Sequence, residues 1–229
     1  MAENTWTVVD PSLPALTCSY VFGPGVAKAL AVAVDGGVAV VSPPCNPSAS
    51  CFEELEKTGP VRALVASNAY HYLGLPAWKA RYPDAPVFAP AQSIARLEKK
   101  SKIAGIRPLS EAKLGGRVEL VDMPHYKTGE VLVRWPIEGG GYAWYVTDVM
   151  FNMRELPRGP FGWIMKWTRS GPGLRRNALA GPLMIKDKRA LYAWLAEQAE
   201  KTPPKLVVAC HLDVARLADP PAEMRAALA

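Results

Sequence analysis

Four residues with metal-binding side chains stand at similar places along the chain. His71, His125 and His211, the three histidines of the 229 residues, each closely follow the C-terminal end of a predicted β-strand, and Asp148 ends another. In open α/β sheets the carboxyl ends of the strands form the crevice where ligands bind. Imidazole and carboxylate are donors that suit Zn²⁺. A single histidine in such a place is more often a hydrogen-bonded loop residue, but all three sharing it favours a metal site.

Strand and helix signals alternate along both halves of the chain, and these elements must position the four residues. Apolar runs joined by Asp35-Gly36-Gly37 and by Gly139-Gly140-Gly141 predict two hairpins. Ser50 and Asp187 are predicted to cap helices. The predicted strands are 29–34, 38–42, 62–66, 86–88, 118–122, 130–135, 142–148 and 205–210, and the predicted helices are 50–57, 76–81, 91–100, 188–202 and 223–228. This order predicts the α/β class with layered sheets.

The net charge of +6 is concentrated in one part of the sequence. Between Arg154 and Arg189, nine basic residues stand against two acidic ones, a net charge of +7, whereas the other eighteen basic and nineteen acidic residues give −1. Basic and aromatic residues are not interleaved elsewhere, so no nucleic-acid partner is expected. Association with a membrane surface through Trp163 and Trp167 is a weaker hypothesis, and no membrane partner is expected.

Residues 152–181 are predicted to be an aromatic-rich basic insertion, an elaborated loop with a short helix near Trp163. In one interpretation the segment is a lid over the metal crevice, with aromatic side chains for an apolar part of a substrate and arginines for an anionic part. In the other it is a packed aromatic anchor with a solvated basic rim. Both interpretations stay open from the sequence.

The chain is expected to be soluble and cytoplasmic. No apolar run is long enough to span a bilayer, and residues 1–6 lack the basic-then-apolar order of a secretory signal peptide. The cysteines show no CxxC pairing, so reduced thiols are expected, with a bridge between Cys45 and Cys51 as the alternative. They are Cys18, Cys45, Cys51 and Cys210.

Common catalytic motifs are missing from the sequence. It contains no P-loop, no GxGxxG after a strand, no GxSxG elbow, no HExxH and no zinc-finger spacing. The candidate site therefore depends on the positions of its histidines and of Asp148 along the chain.

Four segments, in order, resemble the metal-binding motifs of the metallo-β-lactamase fold superfamily. Leu64–Pro76 resembles the stretch in which a strand ends in HxHxDH followed by Gly-Gly-Leu-Pro, and Met123–Gly129 is similar to the PGHTxG segment. Tyr145–Asp148 resembles the strand with the bridging aspartate, and Ala209–His211 resembles the final Gly-His. The likeness is greatest to a branch known only as a domain of unknown function. The resemblance implies a single domain over residues 1–229 that folds as an αββα sandwich.

The first of these motifs is incomplete. His71 aligns with the last histidine of HxHxDH, whereas Tyr70 falls on the aspartate and Asn68 and Ala66 fall on the two earlier histidines. Ser42 also stands where many members of the superfamily have an aspartate. The departures remove most ligands of the first metal position, so the resemblance does not imply a two-metal site.

A site with one metal ion is what the resemblance implies instead. His71, Asp148 and His211 are the expected ligands, with His125 as a fourth ligand or as an acid/base. Zinc is the expected metal, with iron or manganese as alternatives, because three protein ligands plus an open water position is the catalytic zinc pattern. Such an ion lowers the pKa of its bound water towards neutrality. A site without metal stays open as an alternative.

Asp148, Tyr70 and Asn68 are the expected catalytic residues. Asp148 is expected to act as a ligand of the metal. Tyr70 cannot replace the lost carboxylate as a base, but it can donate a hydrogen bond to a developing oxyanion. Asn68 is a poor zinc ligand but can orient a water molecule or the substrate.

Two functions of different classes are compatible with these residues. The leading hypothesis is a metal-dependent hydrolase acting on an ester-, lactone- or phosphoester-like small molecule. The alternative is a non-catalytic small-molecule binding protein that keeps a vestigial site. The expected partners are a small-molecule substrate, in one version anionic, and a second copy of the chain in a homodimer.

Overall fold

The structure is a computed structural model of the 229-residue chain, and it describes residues 4–11, 13–23, 25–115, 117–211 and 213–229. Two large β-sheets pack against each other, and helices cover their outer faces. In the described ranges every helix is too short or too polar to traverse a lipid bilayer.

The first sheet is built from the N-terminal half of the chain. Its described strands lie side by side in chain order: β1 (Trp6–Val8), β2 (Ala15–Phe22), β3 (Gly25–Val34), β4 (Gly37–Val41), β5 (Val61–Val65), β6 (Val87–Ala89) and β7 (Arg107–Pro108). Strands β1 to β4 pair antiparallel, and β4 to β7 pair parallel. The predicted hairpin at residues 35–37 is therefore confirmed, whereas β1 and β2 were not predicted.

Three helices connect the parallel strands of this sheet: α1 (Ala49–Glu56), α2 (Leu75–Arg81) and α3 (Ile94–Ser101). The sequence prediction placed the cap of the first helix at Ser50, but the side chain of Ser48 caps it by accepting from the backbone N–H of Cys51. Pro76 occupies the first turn of α2, where its missing N–H leaves no helical bond unmade. The three helices bury Leu55, Trp78 and Leu97.

The second sheet comes from the C-terminal half. Its described strands, in spatial order, are β14 (Val214–Arg216), β13 (Pro204–Ala209), β10 (Tyr142–Val146), β9 (Val131–Pro136) and β8 (Glu119–Asp122). Strands β10 and β13 are parallel, and the other neighbours are antiparallel. The hairpin predicted around Gly139–Gly141 is confirmed as β9–β10.

A smaller antiparallel pair, β11 (Met150–Met153) and β12 (Gly173–Arg176), brackets the helix α4 (Pro160–Trp167). The chain continues through α5 (Gly181–Met184) and α6 (Lys188–Lys201) and ends with α7 (Pro220–Leu228). The short helix near Trp163 and the cap of α6 by Asp187 are confirmed. The strands β11 and β12 were not predicted.

The central strands β10 and β13 of the second sheet are buried on both faces, because another layer covers each face. Tyr145 and Val208 belong to the core shared with the first sheet, whereas their neighbours Trp144 and Val207 belong to the core formed with α6 and α7. The Tyr145 hydroxyl donates to the carbonyl of Lys28, 2.7 Å away, and so joins the two sheets. The layer order confirms the predicted αββα sandwich.

Candidate metal centre

Three loops that follow parallel strands meet at one edge of the sandwich. The loop after β5 carries His71, the end of β10 carries Asp148, and the end of β13 carries Cys210 and His211. The two sheets are tied together there, because the backbone N–H of Val131 donates to the carbonyl of Ser67. The Lys28 N–H likewise donates to the carbonyl of Cys210.

The side chains of these loops converge on Asp148. Its Oδ1 lies 3.0 Å from Nε2 of His211 and 3.5 Å from Nε2 of His71. The two imidazole rings are 5.8 Å apart between centroids. Among the described residues, one nitrogen of each ring and Sγ of Cys210 all lie within 4.8 Å of one another. The side chains of His71, Asp148 and His211 keep exposed fractions of 8%, 16% and 17%, so all three reach the solvent-facing cavity.

Contacts behind the imidazoles set their orientation. Nδ1 of His211 lies 3.0 Å from the carbonyl oxygen of Val26, which only accepts, so Nδ1 donates and Nε2 is directed at Asp148. Nδ1 of His71 lies 3.3 Å from the hydroxyl of Tyr20. Support of this kind fixes the ring of a metal-binding histidine and makes the other nitrogen a better ligand.

The Asn68 side chain connects the loop that carries His71 to Asp148. Its Nδ2 donates to Oδ2 of Asp148 at 2.8 Å and to Oε2 of Glu130 at 2.9 Å. Its Oδ1 accepts from the backbone N–H groups of Tyr70 and His71. The amide is fully buried and its donors are both used. Asn68 is therefore a positioning residue and does not face the cavity, contrary to the expectation that it would orient water or substrate.

Glu130 completes this buried network. Its Oε1 accepts from the backbone N–H of Asp148 at 2.8 Å, and the side chain has no exposed surface. Burial and the neighbouring Asp148 carboxylate raise the pKa of Glu130 to about 8, although the hydrogen bond from Asn68 opposes the shift. The ionisable groups of the site are thus coupled through Asp148.

The electrostatics of the cluster favour an ionised aspartate beside protonated rings. Burial opposes ionisation of Asp148, but the imidazoles of His71 and His211 hold its pKa well below the usual range. Burial likewise opposes protonation of His211, but Cys210 and Asp148 raise its pKa to about 9. For Cys210 burial opposes the thiolate, yet the two imidazoles lower the thiol pKa to about 7.

The cavity in front of the cluster has a volume of about 130 Å³. His71, Asp148 and His211 form its inner wall, and Tyr70, which is 43% exposed, and Phe22 contribute to its mouth. The guanidinium carbon of Arg96 lies 4.9 Å from the ring centroid of Tyr70. The structure thus places Tyr70 beside the ligand space.

The structure does not bring His125 into this cluster. Its side chain is exposed, and it neither belongs to the 4.8 Å group nor lines the cavity. The backbone explains the difference, because His125 has a φ of 64° and its carbonyl accepts from the N–H of Lys186. The turn docks on the segment before α6, and the expected fourth ligand is missing from the group that the structure assembles.

Cys210 lies in one group with His71 and His211, although the sequence predicted only a reduced thiol at this position. Its position directly before His211 was the signal that could have found it, since adjacent residues at a strand end reach the same loop cluster. Glu130 and Tyr20 were also missed: Glu130 begins an apolar strand pattern and Tyr20 lies in the unpredicted strand β2, and neither position carries a signal of a role in the site. Ser42 lies at the end of β4, where its hydroxyl donates to that of Ser67 at 2.7 Å.

The donor set fits a single divalent transition-metal ion. The donors that lie within 4.8 Å of one another are two imidazole nitrogens and the Cys210 thiol, and the Asp148 carboxylate lies next to both imidazoles. Imidazole, thiol and carboxylate are all ligands of the kind that zinc takes, and the thiol disfavours the hard cations that prefer oxygen alone. The cavity leaves one side of the cluster open. These residues therefore make up a candidate metal group with room for a further ligand.

The segment 152–181 contributes to the site through its methionines. Met153 and Met165 are buried and, together with His211, line a second cavity, whereas Trp163 and Trp167 are 75% and 86% exposed. The tryptophans therefore do not form the aromatic lining that the lid interpretation expected of them.

Solved structures of the same architecture include two metallo-β-lactamases. One, from Pontibacter korlensis, is 10% identical, with a TM-score of 0.55 and coverage of 98% of each chain. The other, from Pseudomonas aeruginosa in a mono-zinc form, is 13% identical, with a TM-score of 0.61 and coverage of 98% of this chain and 94% of that one. Neither a protein-family model nor a curated protein sequence matches the chain. At these identities the likeness shows the architecture, and it confirms the resemblance at that level: the chain has the metallo-β-lactamase fold.

Proposed function

We propose that the protein is a metal-dependent hydrolase of a small ester-, lactone- or phosphoester-like molecule. One observation carries the proposal: His71, Asp148 and His211 come from three separate loops and present their ligand atoms to one point at the wall of a cavity. The mono-zinc form of a metallo-β-lactamase of the same fold supports a site with one ion.

His71, Asp148 and His211 would hold the ion, with Cys210 beside them. When bound, a zinc ion lowers the pKa of its water and polarises a carbonyl or phosphoryl oxygen. The net reaction adds one water across the scissile C–O or P–O bond, so that the hydroxyl stays on the acyl or phosphoryl centre and a proton goes to the leaving oxygen.

The other residues of the site have separate tasks. Asn68 and Glu130 hold Asp148 in place from behind, and the Val26 carbonyl keeps Nε2 of His211 directed at the same point. Tyr70 stands at the cavity mouth, where its hydroxyl can donate to oxygen charge that develops on the substrate.

A second candidate function is ligand binding without a metal. It is favoured by the 3.0 Å contact between Asp148 and His211, which with a protonated ring is a complete ion pair. In that case the cavity is a small binding pocket with a negative and a positive group paired in its wall.

Metal analysis of the untagged protein separates the two functions. We expect close to one equivalent of transition metal after purification, or a rise in melting temperature when zinc is added. His71→Ala and His211→Ala should each lose the metal, and the matched control His125→Ala should retain it because that ring is outside the cluster. If the purified protein contains no metal and its melting temperature does not change when zinc is added, the hydrolase proposal is refuted.

Activity is the second measurement. A panel of aryl esters, lactones and aryl phosphoesters should show at least one substrate that the zinc-loaded protein hydrolyses and that the His211→Ala variant does not. Turnover that is equal in the wild type and in His211→Ala would assign the activity to a contaminant and refute the proposal.

A further inference from the structure

A second and wider cavity shares His211 with the small cavity. Its volume is about 580 Å³, within the roughly 300–1,000 Å³ of small-molecule pockets. Apolar side chains from the tip of the β2–β3 hairpin, from β11 and from the segment with α4 line it: Val26, Phe151, Met153, Pro157 and Met165. We refer to it as the apolar groove.

His211 forms part of the wall of both cavities. The Phe151 ring, in the groove, stands perpendicular to the imidazole at 5.6 Å between centroids. The Phe22 ring, in the small cavity, lies 6.0 Å from the same imidazole. A ligand that lies across the edge of His211 therefore reaches the candidate metal group and the groove at once.

The two cavities differ in size, so each can accommodate a different part of one ligand. The small cavity, at about 130 Å³, holds a functional group such as a carbonyl with an attacking water, but it is below the size of ordinary ligand pockets. The rest of any larger molecule must extend into a neighbouring space, and the groove adjoins the cavity at His211.

The groove is chemically suited to an uncharged chain. Its charged lining residues lie towards the solvent: Nε of Arg154 and Oδ2 of Asp213 pair with each other at 2.9 Å, and Glu155 is exposed beside them. Val26 is 47% exposed although it is apolar, and Met153 and Met165 form the groove floor. Filling the groove with methylene groups removes these apolar surfaces from water, which is favourable in proportion to the area covered.

We propose that the apolar groove binds the alkyl chain of the substrate, so that the protein acts on carbonyl compounds with a medium-length hydrocarbon tail. The inference rests on the proposed function for the reactive end of the molecule. It stands on separate observations for the tail, namely the volume, the apolar lining and the shared wall at His211.

Binding of non-hydrolysable ketones tests the groove without any turnover. Isothermal titration of 2-butanone, 2-hexanone, 2-octanone and 2-decanone should give an affinity that rises about threefold per added methylene until the groove is filled. Val26→Asp places a charge at the groove edge and should remove most of this dependence. Val8→Asp, at an exposed valine of β1 outside the groove, is the matched control and should keep it. An affinity independent of chain length, or an equal dependence in both variants, would overturn the inference.

Hydrolysis of p-nitrophenyl acetate and p-nitrophenyl octanoate distinguishes this inference from the proposed function. Ketone binding that depends on chain length, with no ester hydrolysed, supports the groove and counts against the hydrolase. If kcat/KM is equal for the two esters and the ketone affinity does not depend on chain length, the result supports the hydrolase and overturns the inference about the groove. A kcat/KM that is at least tenfold higher for the octanoate, and that Val26→Asp but not Val8→Asp reduces, supports both.

Discussion

Asp148 and Asn68 are joined by a partly buried hydrogen bond of 2.8 Å, from Nδ2 of the amide to Oδ2 of the carboxylate. Asp148 uses its other oxygen, Oδ1, towards His211 and His71. One carboxylate therefore connects the protein interior to the cavity wall. Through Asn68 the loop that carries His71 is fixed to the strand end that carries Asp148, although the two lie in different sheets.

Asn68→Ala should destabilise the protein by about 2–4 kcal/mol, because it removes the donor to the buried Glu130 and the partly buried Asp148 carboxylates and the acceptor for two backbone N–H groups. Urea unfolding monitored by fluorescence measures the change. Asn152→Ala, which removes one partly buried hydrogen bond to the Asp213 carbonyl, is the control and should cost about 1 kcal/mol or less. Equal losses in the two variants would show that the buried network adds no stability of its own.

Zinc affinity should increase as the pH rises from about 6 to 9. In the metal-free protein burial opposes protonation of His211, but Cys210 and Asp148 raise its pKa to about 9, so the ring carries a proton at neutral pH. A metal ligand must be a neutral imidazole, so each proton released makes the affinity rise by up to about tenfold per pH unit below that pKa. Competition with a chelator at pH 6, 7, 8 and 9 measures the slope, and a flat profile would show that His211 is not a ligand.

Cys210→Ala should weaken zinc binding by about tenfold or more, because it removes the thiol from the group and with it a charge that faces both imidazoles. Cys45→Ala is the matched control, since that thiol is also buried but donates to the carbonyl of Val21 and lies outside the group. Titration with a zinc indicator compares the two variants. Equal affinities would restrict the ligands to His71, Asp148 and His211.

Tyr145→Phe should lower the free energy of unfolding by about 1–2 kcal/mol, because the hydroxyl donates across the sheets to the Lys28 carbonyl. Tyr126→Phe should leave stability unchanged or raise it slightly, since its buried hydroxyl has no hydrogen-bond partner among the described residues. Thermal unfolding of both variants measures the contrast. A Tyr126→Phe variant that is less stable than Tyr145→Phe would contradict this assignment of the two hydroxyls.

Local signals accounted for most of the elements. The Asp35–Gly37 turn and the cap at Asp187 act within a few residues, so the β3–β4 hairpin and the start of α6 follow from neighbouring residues alone. The strand β2 was missed, and so were β11 and β12. Arg175 and Arg176 carry no strand pattern, and their pairing with Phe151 and Met150 is a contact between distant parts of the chain.

The amino-acid sequence by itself determined that His71, Asp148 and His211 follow strand ends, because strand periodicity and turn residues are read within a short window. Only the tertiary structure decided which side chains share one space. His125 is exposed because the backbone at that residue is left-handed, and Cys210 lies in the group with His71 and His211. Asn68 donates to Asp148 and does not face a ligand. The physical reason is that these outcomes depend on how two sheets pack and on which hydrogen bonds a buried amide can complete, and no short stretch of sequence contains either.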